Sequence, residues 1–380
     1  MPRKQEHATG TAVSAPSGGR VTMKDIASAL GVSVNTVHKA IAGKPGVSEK
    51  VRAKILAYAE ENGYRRNESA SSLRRKDAQI LVCLPSAEGS GRYYYSYVWE
   101  GCHRYMAEAR DTGMHFSCHD YVMGNYLPSL EDVVRRVEAG KRYDGMLALA
   151  PSSAAEAHAL RALTDAGVVV ELINGDDPST GRFGSVVADY AAAGHLMAEQ
   201  ACNLVRGEEG PVRMLLLSGD PYIDSHYLVA RAFHEYIREN APMVRVEDLT
   251  GAHARADELR RELVDHLTHD ELLVACSVFA AGSEVLGDAL VEAGRVGKVA
   301  AIGSDLFPES VLALRRGIFT NVVYKDPTGI AYRAMKTLGE HVLWGMKPAR
   351  DVEVFPVELV FRSNLDHYCE EAGAQEAARD

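Results

Sequence analysis

"VSVNTVHKAIAGKPGVSEKVRAKIL", residues 32–56, reads as two short helices on either side of a Gly-Lys-Pro-Gly break. Ser33 is placed to cap the first, because a serine oxygen there accepts from the N–H groups that a helix start leaves open. Val37, Ala40 and Ile41 then form a narrow apolar stripe at helical spacing. With that stripe turned inward, Val34, Asn35, His38 and Lys39 face outward. Ser48 is placed to cap the second helix, in which Val51, Ile55, Ala59 and Tyr64 close a small core before Asn62-Gly63 stops it.

Upstream, "VTMKDIASALGVS" supplies a preceding helix. Thr22 suits its N-cap, Asp25 sits where a negative charge favours the helix start, and Gly31 ends it. Met23, Ile26, Ala27 and Leu30 share one face. Two helices joined by about three residues form a helix-turn-helix. An outward Asn bonds bidentately to an adenine edge, Lys donates to guanine O6 and N7, and Val packs on a thymine methyl. For an isolated short helix, a polar face simply in water is the better reading. The two-helix frame inside a basic segment favours base contact.

The charge distribution agrees. Residues 1–76 carry 14 Lys/Arg against 6 Asp/Glu, a net of +8, whereas the whole chain of 380 residues is at −10 and the remainder therefore at −18. A basic end on an acidic body meets a polyanion through that end alone. The hydrophobic share of 46% and the charged share of 25% are those of an ordinary soluble protein of two or three domains. The apolar runs, such as 168–170 and 214–217, are too short to span a bilayer. Residues 1–20 lack the apolar core of a secretory signal and read as a disordered leader. Six cysteines without a C-x-x-C pair fit a reduced, cytoplasmic protein.

"RRNESASSLRRKD" has the composition of a polar linker, with Leu73 its one large apolar residue. From Gln79 onward, "QILVCL", "GMLALA", "VVVELI", "VRMLLL", "LLVACSVF" and "VAAIGS" alternate with helical stretches at 100–110, 154–166, 191–205 and 225–239. That alternation predicts an α/β body of parallel sheets with helices on both faces, and its length suits two subdomains.

Residues 21–76 resemble the headpiece of the LacI/GalR family of bacterial transcription regulators, through "VTMKDIASALGVSVNTVHKAIAGKPGVSEKVRAKI" and "NGYRRNESASSLRRK". The resemblance implies DNA contacts by Thr22, Val34, Asn35, Thr36, His38 and Lys39, the second helix lying in the major groove. It also implies a hinge helix from Asn67, with Leu73 wedged into the minor groove, which costs a few kcal/mol of unstacking recovered through the bend. His38-Lys39 departs from a common Ser-Arg, and Arg66 from a common Pro. The body is similar to the type I periplasmic-binding-protein-like sensor of the same family, through "YYYSYVWEGCHRYMAEA", "VVADYAAAGHLMAEQ", "AIGSDLFPESVLALRRGIFTNVVYKDP" and "PVELVFRSNLDHY". This implies two lobes with chain crossings near Val187, Val323 and Val354, and a ligand in the cleft at the strand ends. The implied ligand residues are Tyr94, Tyr95, Asn174, Arg231, Asp305 and Lys325, with Arg231 and Asp305 facing one another across vicinal hydroxyls. Ala281-Gly282 replaces a usual Asn-Asp pair, and Lys325 a frequent Gln. Lys325 suits a ligand carboxylate or phosphate, or a partner in Asp326 or Asp305.

The expected organisation is a leader (1–20), a headpiece (21–66), a hinge (67–78), a bilobed ligand-binding and dimerisation domain (79–368) and a tail (369–380). The expected function is a cytoplasmic, homodimeric regulator, favoured as a repressor, on a pseudo-palindromic double-stranded DNA operator. Its effector is expected to be a sugar, sugar acid or sugar phosphate, with no cofactor and no membrane partner. The competing readings are a solute sensor with no DNA role and an α/β enzyme of unrecognised type. "HFSCHD" (115–120) is tempting for metal but reads as a strand, "DHLTHD" (265–270) as an exposed helix face, and "GRVGKV" (294–299) lacks the residues of a phosphate loop. No nucleophile elbow and no H-E-x-x-H is present.

Overall fold

The computed structural model describes residues 21, 23–41, 47–62, 77–208, 212–251, 256–268 and 272–369. The chain divides into two compact units, 1–74 and 75–380.

In the first unit, α1 (Met23–Leu30), α2 (Val34–Ile41) and α3 (Glu49–Glu61) enclose a core of Ile26, Val37 and Ile55, with Ala27, Ala40 and Ala59 between them. Gly31 turns the chain out of α1 at φ +64, a backbone that a β-carbon disfavours. Ser33 Oγ accepts from Thr36 N at 3.0 Å, the cap bond expected of it. Ser48 stands at the N-cap of α3 with an extended backbone, but its hydroxyl makes no cap bond. A second tie comes from Arg52 of α3, which donates to the carbonyls of Lys39 (3.3 Å) and Ala40 (2.8 Å). These belong to the last turn of α2, where carbonyls lack helical partners and a cation is favoured. Tyr58 packs against this core, and Tyr64 lies outside the described residues.

The second unit repeats one strand order twice, in two six-stranded sheets. The first holds β1 (Ala78–Pro85), β2 (Met114–Tyr121), β3 (Gly145–Leu149), β4 (Val169–Ile173), β5 (Gly184–Ala188) and β11 (Val352–Phe355), in the order β11-β5-β4-β3-β1-β2. The second holds β6 (Val212–Gly219), β7 (Val244–Thr250), β8 (Leu272–Ser277), β9 (Ala300–Ser304), β10 (Asn321–Tyr324) and β12 (Glu358–Phe361), in the order β12-β10-β9-β8-β6-β7. All pairings are parallel except β10 with β12. Strands covered on both faces carry unbroken apolar runs. All six apolar runs quoted above form strands of this kind.

Helices α4 (Tyr95–Glu108), α5 (Tyr126–Glu138), α6 (Ala154–Asp165) and α12 (Pro327–Trp344) serve the first lobe. Helices α7 (Tyr190–Leu204), α8 (Asp224–Asn240), α9 (Ala256–Thr268), α10 (Ala280–Glu292) and α11 (Pro308–Arg315) serve the second. The chain crosses between lobes after Ala188, after Tyr324, and between Phe355 and Glu358, within a few residues of the expected places. Each crossing helix lies close on a neighbour. A β-carbon on Gly101 would strike the Thr328 carbonyl between α4 and α12, and one on Gly194 the Val229 carbonyl between α7 and α8. No helix among the described residues is long and apolar enough to cross a membrane.

Candidate functional site

Helix α2 carries Val34, Asn35, Thr36, His38 and Lys39 in two turns, and its buried side is Val37 and Ala40. The side chains of Val34, Asn35 and His38 lie outside what is described, as do Thr22, Asn67 and Leu73 altogether. The Thr36 hydroxyl sits 2.8 Å from Ser33 Oγ, so it completes the helix start as well as facing outward. Lys39 is half-buried beside the Arg52 contact.

In the second unit a cavity of about 390 Å³ opens between the lobes, where the carboxyl ends of the strands in both sheets meet. Asn174 follows β4 and Asp305 follows β9. Both hold φ at 63°, in the left-handed region where Asn and Asp are the side chains best tolerated. Backbone strain of this kind clusters at ligand sites. The Tyr94 hydroxyl donates to Asn174 Oδ1 at 2.8 Å, and the Tyr94 and Tyr95 rings meet edge-on with centroids 5.4 Å apart. Tyr93, Tyr94 and Tyr95 all border the cavity, but only Tyr93 is buried.

Asp305 is 2% exposed. Its Oδ2 is 2.8 Å from Lys325 Nζ, and Lys325 also donates to Ser304 Oγ. Its Oδ1 has no partner, and neither has the hydroxyl of Tyr190, another wall of the cavity. Although Tyr94 and Tyr95 keep part of their surface exposed, loss of water around the hydroxyls holds the Tyr190 and Tyr94 phenols well above their ordinary range and pushes Tyr95 up to about 12.

Arg231 is a correction. It is exposed, lies 3.5 Å from Glu235 and stands over the Tyr227 ring, and it takes no part in the cavity. The inward side of α8 is Val229, Ala230, Ala232 and Phe233. One residue rotates a helix by about 100°, so the position between those pairs faces out. The partner of Asp305 is therefore Lys325, the ion-pair alternative for that lysine.

Residues not anticipated also build the wall, chiefly His226, Tyr190, Phe279 and Asp220. His226 Nδ1 accepts from the backbone N–H of Asp220 at 3.1 Å, and its ring lies 4.8 Å from that of Phe279. Burial, and then the charge of Lys325, lowers its pKa to about 3. Its place just after β6, in the first turn of α8, is the signal that marks it: ligands meet such sheets at strand ends.

The lobes are clasped beside the cavity. Arg92 of the first lobe donates to Glu284 of α10 at 2.9 Å and to Glu309 of α11 at 2.6 Å. The Tyr93 hydroxyl donates to Glu284, and its ring meets that of Phe307 edge-on. No group of three metal-ligating side chains exists among the described residues. In "HFSCHD", His115 pairs with Asp77 at 3.1 Å. In "DHLTHD", His266 is half-buried near Glu247 and Arg213 rather than on an exposed face, and His269 lies outside the described residues.

Two families match. One, "Periplasmic binding protein domain", spans residues 88–345, and the other, "Bacterial regulatory proteins, lacI family", spans 22–67. The HTH-type transcriptional regulator AglR of Rhizobium meliloti is 39% identical over 70 residues, 18% of this chain and 20% of that protein. The maltose regulon regulatory protein MalI of Vibrio furnissii is 35% identical over 65 residues, 17% of this chain and 47% of that protein. The chain thus spans well under two thirds of either relative. Among solved structures, GanP, a glucose-galactose binding protein from Geobacillus stearothermophilus, covers 76% of this chain and 99% of its own at 18% identity, with a TM-score of 0.64. That likeness is one of fold.

Proposed function

Since the chain belongs to the periplasmic binding protein domain family and carries a LacI-family DNA-binding domain ahead of it, we propose that it is a transcription regulator whose DNA affinity is set by a small ligand. One observation carries this reading. A cleft cavity whose wall leaves Asp305 Oδ1 and the Tyr190 hydroxyl unsatisfied belongs to the same chain as a helix-turn-helix. Buried polar atoms without partners are costly, and a hydroxylated ligand relieves that cost.

The effector is a sugar or sugar derivative, with aromatic rings against its apolar face and Asn174 and Asp305 on its hydroxyls. The protein acts as a homodimer on a pseudo-palindromic operator, since twofold protein symmetry calls for two half-sites. Val34, Asn35, His38 and Lys39 read bases, Thr22 and Thr36 support that contact, and residues 67–78 transmit the lobe state through Asn67 and Leu73. The effector shifts a population between lobe arrangements, and only a difference in affinity for the two does so. Repression is the favoured outcome.

An electrophoretic shift on the DNA upstream of the protein's own coding sequence tests the reading. A discrete complex resistant to random competitor, and altered by a sugar that raises the protein's melting temperature, is expected. Equal competition by random DNA would refute the regulator. A bound sugar that is chemically converted would replace it with an enzyme.

A further inference from the structure

This inference rests on the cavity being the effector site and concerns the charge of the effector. The ionisable wall consists of Asp220, Asp305, Lys325, His226 and four tyrosines. Lys325 is the one ammonium among these lining residues, and it is committed to Asp305 Oδ2 and Ser304 Oγ. His226 accepts at Nδ1 from the Asp220 N–H, so the proton of the neutral ring lies on Nε2. Burial keeps that ring neutral, with its pKa near 3, and keeps the Tyr94, Tyr95 and Tyr190 phenols protonated. The wall therefore presents two carboxylates against one spent cation. Arg231, the cation expected here, is on the outer side of α8.

A uronate or a sugar phosphate entering this cavity would find no uncommitted positive charge, and an unpaired buried charge is costly. What the wall lacks is hydroxyl contacts, at Asp305 Oδ1 and at the Tyr190 hydroxyl. We propose that the cavity takes an uncharged polyhydroxyl effector and excludes sugar acids and sugar phosphates, with His226 as the discriminating residue: its Nε2–H donates to a neutral ligand oxygen where a cationic side chain would accept an anion. Asp305 Oδ1 accepts from a ligand hydroxyl, and the Lys325 bridge spares the ligand from balancing that carboxylate.

Calorimetric titration of the full chain compares D-glucose, D-galactose and maltose with D-glucuronate, D-galacturonate, glucose 6-phosphate and galactose 6-phosphate. The wild type is expected to bind a neutral sugar at least about tenfold tighter than its acid or phosphate, and His226→Leu to lose about tenfold on that sugar. His226→Asn, which keeps an N–H donor, is expected to recover most of the loss, and His226→Arg to narrow the gap between sugar and acid. Melting temperatures without sugar show which variants fold. If His226→Leu does not, the wild-type panel and His226→Asn decide. An acid or phosphate that binds the wild type more tightly than its parent sugar, or undiminished binding by a folded His226→Leu, overturns the inference while the effector site stands. If no compound binds while operator binding persists, the effector-site reading fails and the inference with it.

Discussion

Asn174 and Asp305 occupy equivalent places in the two lobes: each follows the fourth strand of its sheet, and each holds φ at 63°. The repeated strand order brings these two left-handed corners to the same cavity from opposite sides. They differ in satisfaction. Asn174 receives the Tyr94 hydroxyl, whereas Asp305 shares one oxygen with Lys325 and leaves the other bare.

That difference sets the first prediction. Removing one member of a buried ion pair leaves an uncompensated charge and costs about 3–5 kcal/mol, whereas replacing both is often neutral. Asp305→Ala and Lys325→Met are each expected to lower stability by that order, and the double variant by clearly less than their sum. Urea unfolding of the four proteins checks this, and strict additivity would show that the bridge carries no coupling.

The Arg92 clasp sets the second. Its three side chains are partly exposed, at 43%, 22% and 37% for Arg92, Glu284 and Glu309. Each pair is therefore worth no more than about 1 kcal/mol and is screened by salt. Arg92→Ala is expected to weaken binding of a sugar ligand severalfold at low ionic strength, with the gap from wild type shrinking at high salt. Titrations at two salt concentrations measure it. A salt-independent gap would point to lost packing on Tyr93, over whose ring Arg92 lies.

Glu171 sets the third. It is 1% exposed in β4, opposite Gly184, and its Oε2 has no partner. Burial raises its pKa from 4.5 to about 8. Between those values the folded chain keeps a proton that the unfolded chain releases, so this group's contribution to stability is full below about 4.5 and lost as pH rises through about 8. Each unit of displacement is worth about 1.4 kcal/mol. Glu171→Gln is therefore expected to gain on the wild type from pH 5 to pH 8.5, whatever their offset at pH 5. Thermal melts across that range test it, and parallel curves would contradict it.

The sequence was legible where one local rule decides. Six largely buried strands read directly as apolar runs, and the first unit's core fell on Ile26, Val37 and Ile55 because helical spacing and Gly31 leave little choice. Asn174 and Asp305 were implied by the family resemblance rather than by a local rule, and both border the cavity. Strands β10, β11 and β12 have four residues each, too few for a period to show. Arg231 was misplaced because a single step around α8 separates its buried face, packed in the core, from solvent. His226 and Tyr190 each follow a strand end, which marks them as candidates, but the cavity gathers residues far apart in the chain and the three-dimensional fold shows which of them meet. Lys325 had two acidic candidates in the sequence, and the fold pairs it with Asp305 while Asp326 Oδ1 accepts from the Tyr324 hydroxyl and the Gly329 N–H.

The most direct measurement is a nuclease footprint on the upstream DNA, with and without a sugar that stabilises the protein, for the wild type and for Asp305→Asn. The account predicts a protected site of twofold symmetry whose occupancy changes with sugar in the wild type and not in the variant. Protection without twofold symmetry, or no protection under any sugar condition, would contradict it.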